Sequence, residues 1–94
     1  MQKILLDFRE VDTKEQVQEY LIMKFGFPDY YGKNLDALFD MLTERREDTC
    51  VGVFGMREKE EDSDPLTVYF RKIIQVLQDA EEENPHLCVI LAIE

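Results

Sequence analysis

A chain of 94 residues has room for one domain and no second core, and an apolar share of 45% argues for a packed interior over disorder. Its 21 acidic residues against 11 basic ones set the formal charge at −10. Such a field repels nucleic acid and anionic membranes and steers cationic proteins inward, although it also serves plain solubility.

Ile4, Leu6 and Phe8 alternate, which predicts a first strand over residues 3–8. Thr13 with Gln16 three residues on is a capping box. Val17, Leu21 and Phe25, with Tyr20 beside them, then form the apolar stripe of a helix ending near Gly26. Residues 27–33 read as an aromatic loop, and Asn34 caps a second helix carrying Leu35, Leu38, Phe39 and Leu42. Residues 49–54 are β-rich and give a second strand. The run 57–64 is almost wholly charged and reads as a solvated loop. Asp64-Pro65 is a cap followed by a first turn, opening a third helix with Leu66, Phe70, Ile73, Ile74, Leu77 and Ala80 at helical spacing. Asn84-Pro85 stops that helix, and residues 87–93 form a continuous apolar strand.

Strands separated by helices imply parallel pairing with right-handed crossovers. If the three strands lie in sequence order, both crossovers fall on the same side. The expected architecture is therefore α/β: one two-layer domain over residues 1–94, a three-stranded parallel sheet with helices packed mainly on one face. This order leaves the last and most apolar strand at an edge.

Cys50 and Cys88 sit in apolar runs, with no CxxC spacing and a single histidine, His86. Neither zinc nor a disulfide framework is indicated, and buried thiols are expected. The N-terminal segment meets a charge at Asp7 too early for a secretory signal, and no apolar run approaches the length of a membrane span. A cytoplasmic protein with reduced cysteines follows as an expectation.

Residues 28–43 are the informative stretch. On a helical wheel Leu35, Leu38, Phe39 and Leu42 cluster within roughly 100°. Asp36 and Asp40 fall together about 120° away with Thr43 beside them, and Phe39 lies on the border. Two aspartates at i and i+4 repel. The helix N-terminus favours Asp36, but Asp40 has no basic neighbour three or four residues away. Tyr30 and Tyr31 precede the pair, and Gly32 permits close backbone approach. Tyrosines around a charged pair suit a binding surface, while a merely solvated acidic face accounts for the aspartates equally well. Catalysis fits poorly, since an acid–base pair needs environments that drive two pKa values apart. Further metal ligands are lacking, and residues 58–64 lack the glycine and ligand alternation of a calcium loop. No cofactor, metal site or enzymatic activity is expected.

The run Pro28, Tyr30, Tyr31, Gly32, Asn34, Leu35, Asp36, Ala37, Leu38, Phe39, Asp40, Leu42 and Thr43 resembles the barstar family, the intracellular inhibitors of small secreted ribonucleases. The element order agrees along the whole chain, and Ile74-Gln75-Val76 with Asp79-Ala80 is similar to that family's last helix. The resemblance implies an immunity-type inhibitor, monomeric when free, that plugs a basic extracellular ribonuclease with the acidic helix and the preceding Tyr-Tyr-Gly loop. It implies that Asp40 stands in for a substrate phosphate and that Asp36 pairs with a partner Arg or Lys. Tyr30 would pack on a catalytic histidine, and Asp79 would make a peripheral ion pair. Gly32, Asn34, Leu35, Phe39 and Thr43 complete the implied contact set. Phe39 stands where tryptophan is commoner, and Glu44-Arg45-Arg46-Glu47 replaces a Gly-Trp turn. Those arginines oppose a cationic partner unless Glu44, Glu47 or Asp48 neutralises them. The other reading is an acidic interaction module for a different basic protein, such as a toxin that is not a ribonuclease.

Overall fold

Alternation at the N-terminus produces β1 (Gln2–Asp7) in the computed structural model, which describes residues 1–55 and 65–91. Ile4 and Leu6 are buried on one side, and Phe8, also buried, begins a single 3-10 turn in place of the strand's last residue. Helix α1 (Lys14–Phe25) starts where the capping box sets it, with the Gln16 amide donating to Thr13 Oγ1 at 3.1 Å. The Gln16 side chain returns to the Asp12 amide at 2.7 Å, one residue earlier than the usual box. Gly26 ends α1 at φ 70, the left-handed conformation that costs glycine least.

Helix α2 (Leu35–Thr43), strand β2 (Thr49–Phe54), helix α3 (Pro65–Glu83) and strand β3 (Leu87–Leu91) follow in the predicted order. The charged run 57–64, the Asp64 cap and the last two residues of the expected final strand lie outside the described residues. The sheet order is β1-β2-β3, parallel throughout. Both crossovers therefore cover the same face, and the α/β two-layer expectation holds. Val17, Leu21, Phe25, Leu38, Leu42, Phe70, Ile73, Leu77 and Ala80 from the helices close over Ile4, Leu6, Val51, Val53 and Leu87 from the strands. Phe8 stacks on Phe70 with ring centroids 4.4 Å apart, tying the end of β1 to α3.

Among the described residues no helix covers the other sheet face. Its apolar side chains stay partly in water, Leu5 at 59% and Ile90 at 53% exposure. Strand β3 accordingly alternates, with Leu87 buried but Cys88 and Ile90 exposed. Its apolar run does not reflect burial on both sides. The edge is partly protected, because Glu81 Oε2 accepts the Val89 amide at 2.6 Å. The expectation of buried thiols is corrected here. Cys50 is half-buried and Cys88 exposed, because both lie on the face that the one-sided crossovers leave open.

Candidate functional site

The loop between α1 and α2 doubles back along α1. Phe27 stacks on Phe25 at 5.1 Å and meets Tyr31 at 4.6 Å, so an aromatic ladder runs from the end of α1 into the loop. The Tyr31 hydroxyl donates to Gln18 Oε1 at 2.6 Å, and Gln18 Nε2 donates to the Tyr69 hydroxyl at 2.5 Å. A buried glutamine thus joins the loop, α1 and α3. Burial, ahead of electrostatic interaction with Tyr69, pushes the Tyr31 hydroxyl up to about 12. The two tyrosines therefore do not both rim the aspartates: Tyr31 is 5% exposed, whereas Tyr30 projects at 82%.

Beyond the tyrosines, Lys33 takes φ 52, and its ammonium pairs with Glu19 Oε1 at 2.8 Å, fixing the loop to the outer side of α1. Gly32 is exposed; a Cβ there would lie 3.3 Å from the Ala37 Cβ and from Asn34 Nδ2, so the loop sits hard against the start of α2. Asn34 is the N-cap, accepting the Ala37 amide at 2.7 Å while Nδ2 donates to the Gly32 carbonyl at 3.2 Å. The Thr43 hydroxyl turns back on its own helix, donating to the Phe39 carbonyl at 2.9 Å. The polar atoms of Asn34 and Thr43 thus hold the backbone of the segment.

Between these two residues α2 presents its outer face. Leu38 and Leu42 are buried, and Leu35 and Phe39 are half-buried against the core. Asp36 and Asp40 are exposed one turn apart, and neither carboxylate bonds or pairs with any described residue. Tyr30 on the loop and Asp36 and Asp40 on α2 are exposed, with Phe39 half-buried at the border of the helix face where the wheel places it. Asp79 is exposed on α3, the helix beside α2, where Oδ1 accepts Gln75 Nε2 at 2.9 Å. An open cleft of about 330 Å³ lies next to the loop, lined by Lys14, Glu15, Gln18, Glu19, Lys33 and Tyr69. Its charges are mixed and it excludes little water. Among the described residues no group of three or more His, Cys, Asp or Glu could hold a metal ion.

The arginines after α2 resolve differently from expectation. Arg45 takes no described carboxylate partner. Its Nε donates to Thr49 Oγ1 at 3.1 Å, Nη1 donates to the Phe25 carbonyl at 3.4 Å, and Nη2 donates to Gln2 Oε1. The guanidinium also stands over the Phe25 ring, 5.6 Å from its centroid. Arg45 is thus a half-buried brace joining α1, β1 and β2, whereas Arg46 is exposed. Buried Asn84 secures the same corner, its Nδ2 donating to the Leu42 and Arg45 carbonyls at 2.8 and 2.9 Å. The bracing contacts of Gln18, Arg45 and Asn84 are barely legible in the sequence. The one available signal was a glutamine adjoining the apolar stripe of α1, beside Val17.

Fold and exposed face together define a small α/β protein that displays an acidic helical surface. The chain belongs to the barstar family: the family described as Barstar (barnase inhibitor) matches residues 1–92. A relative from Bacillus subtilis (strain 168), named "Putative ribonuclease inhibitor YrdF", is 37% identical over 83 residues, covering 88% of this chain and 89% of the relative. Among the described residues no helix is long and apolar enough to cross a membrane.

Proposed function

We propose that this chain is a cytoplasmic inhibitor of a basic, secreted ribonuclease, acting by insertion of α2 and the Tyr-Tyr-Gly loop into the nuclease's phosphate-binding cleft. One observation carries the proposal: Asp36 and Asp40 stand one turn apart on an exposed helix face with no described countercharge. A fold of modest size retains uncompensated like charges at a cost, and that cost is recovered when a cationic partner supplies the missing charge. In this arrangement Asp40 occupies the position of a substrate phosphate, Asp36 receives an Arg or Lys, and Tyr30 lies on an imidazole. Leu35 and Phe39 give an apolar floor, and Gly32 lets the backbone approach. Asn34 and Thr43 act by holding the segment's shape, and Asp79 contributes at the periphery. Inhibition by occlusion requires no catalytic group or cofactor of the inhibitor's own.

Exposed Arg46 favours keeping a second reading in the test, because a cation at the end of an acidic face suits a partner with an acidic group opposite it. The experiment is a titration of the purified chain against a panel of small basic ribonucleases and against basic non-ribonuclease toxins from the same cell. Stoichiometric loss of RNA cleavage supports the inhibitor. Tight binding to a toxin without effect on any ribonuclease supports the other module, and binding to neither overturns both.

A further inference from the structure

Cys50 in β2 and Cys88 in β3 are register partners on adjacent parallel strands. Side chains at paired positions of neighbouring parallel strands point to the same side of the sheet, and here that side is the uncovered one. Strand spacing of about 4.8 Å falls inside the window of about 4.4–6.8 Å between Cα atoms that a disulfide requires. Both residues carry free thiols, Cys88 exposed and Cys50 half-buried beside it. Neither thiol serves the core, and neither lies on the helical layer that carries Asp36 and Asp40.

We infer that Cys50 and Cys88 form a surface dithiol, a modification site that a small-molecule disulfide oxidant closes into an intramolecular disulfide between β2 and β3. Hydrogen bonding to the Cys50 side chain, ahead of burial and the charge of nearby Glu81, raises the Cys88 thiol from its ordinary value. Cys88 therefore reacts through a minor thiolate population, which makes the exchange slow near neutral pH.

The chemistry proceeds by two exchanges. Cys88, as thiolate, attacks one sulfur of the oxidant; its S–S bond breaks, and the departing thiolate takes up the proton that Cys88 released. Cys50, as thiolate, then attacks the Cys88 sulfur of this mixed disulfide. The Cys50–Cys88 bond forms, the second oxidant thiolate leaves and is protonated, and the mixed bond is gone. The protein has lost two protons and two electrons, and one small-molecule disulfide has become two thiols. Closure staples the edge strand to the central one on the face opposite α2.

The test treats the native full chain with glutathione disulfide and follows intact mass and a non-reducing peptide map. The expected product is monomeric, lighter by two hydrogens, with the Cys50 and Cys88 peptides joined. Stable glutathione adducts on either or both cysteines of the wild type, or disulfide-linked dimers as the main product, overturn the inference. A second measurement needs no oxidation: phenylarsine oxide bridges two close thiols, so the reduced wild type should bind one per chain. Cys50→Ser and Cys88→Ser should each weaken that binding by about a hundredfold or more, the usual scale of lost chelation. Equal binding by wild type and either variant also overturns it.

Discussion

The Tyr31 hydroxyl donates to Gln18 Oε1 at 2.6 Å across a buried gap between loop and helix, while Tyr30, one residue earlier, stands in solvent. Adjacent tyrosines in one short loop therefore do different work. Tyr31 sets where the loop lies, and that in turn sets where Tyr30 and the start of α2 are presented.

Removing the buried hydroxyl should cost stability while leaving every exposed side chain of the loop and α2 chemically intact. Tyr31→Phe leaves Gln18 Oε1, in a residue only 4% exposed, without its donor, a loss of about 1–3 kcal/mol. Tyr30→Phe removes an exposed hydroxyl and should leave folding within about 0.5 kcal/mol of wild type. Urea unfolding of the two variants side by side measures both; equal midpoints would deny Tyr31 its positioning role.

The same hydroxyl predicts an alkaline limb of instability. In the fold Tyr31 is raised to about 12 from the ordinary 10.0, chiefly by burial. The native state then holds a proton that the unfolded chain releases, so this contribution is fully present below the unfolded value. It is lost as pH climbs from there through the folded value. Tyr20 is raised too, with burial the largest cause, and adds a decline of the same sign. Thermal melts at increasing alkaline pH should therefore fall less steeply for Tyr31→Phe than for wild type, though not become flat.

Arg45 and Arg46 should separate stability from binding. Arg45→Met keeps an apolar stem over Phe25 but removes donors to Thr49, Gln2 and the Phe25 carbonyl. The expected loss is about 1–3 kcal/mol of folding stability, with nuclease affinity unchanged once the protein is folded. Arg46→Glu should do the reverse, hardly altering the melt while speeding association with a cationic ribonuclease at low salt. Calorimetric melts and stopped-flow association across a salt series check the pair.

The fold was largely legible because its signals are local. Thr13 with Gln16, Gly26 and Asn34 mark the helix ends by their own backbone chemistry, and Ile4 and Leu6 mark the covered sheet face by spacing. The exposed Asp36–Asp40 face followed from the helix period for the same reason. What escaped depends on contacts distant in sequence. Nothing near Arg45 announces that its guanidinium reaches Gln2 and the Phe25 carbonyl, or that Asn84 caps a helix some forty residues earlier. Cys50 and Cys88 look buried by composition, because an apolar run reads alike whether one sheet face or both are covered.

Asp40 decides between an inhibitory surface and an ordinary solvated one. If it stands in for a phosphate, the complex buries it among guanidinium and imidazolium groups, and truncation leaves those cations unpaired in a medium of low dielectric. Close charge pairs in the barnase–barstar complex, the family's own namesake, couple by about 1.5–7 kcal/mol, so on that borrowed scale Asp40→Ala should weaken binding by at least about 3 kcal/mol. Asp79→Ala should cost less, since its carboxylate already accepts a bond from Gln75 at the margin of the surface. Asp12→Ala, on the exposed connection between β1 and α1, should change mainly the association rate and its salt dependence. The folding stability of Asp40→Ala should hold or rise by a few tenths of a kcal/mol, roughly the like-charge repulsion with Asp36 that it removes. Affinities of the three variants for the inhibited ribonuclease, each paired with a urea midpoint, give the answer: equal, small losses at Asp40 and Asp12 would reduce the aspartate pair to solvated surface.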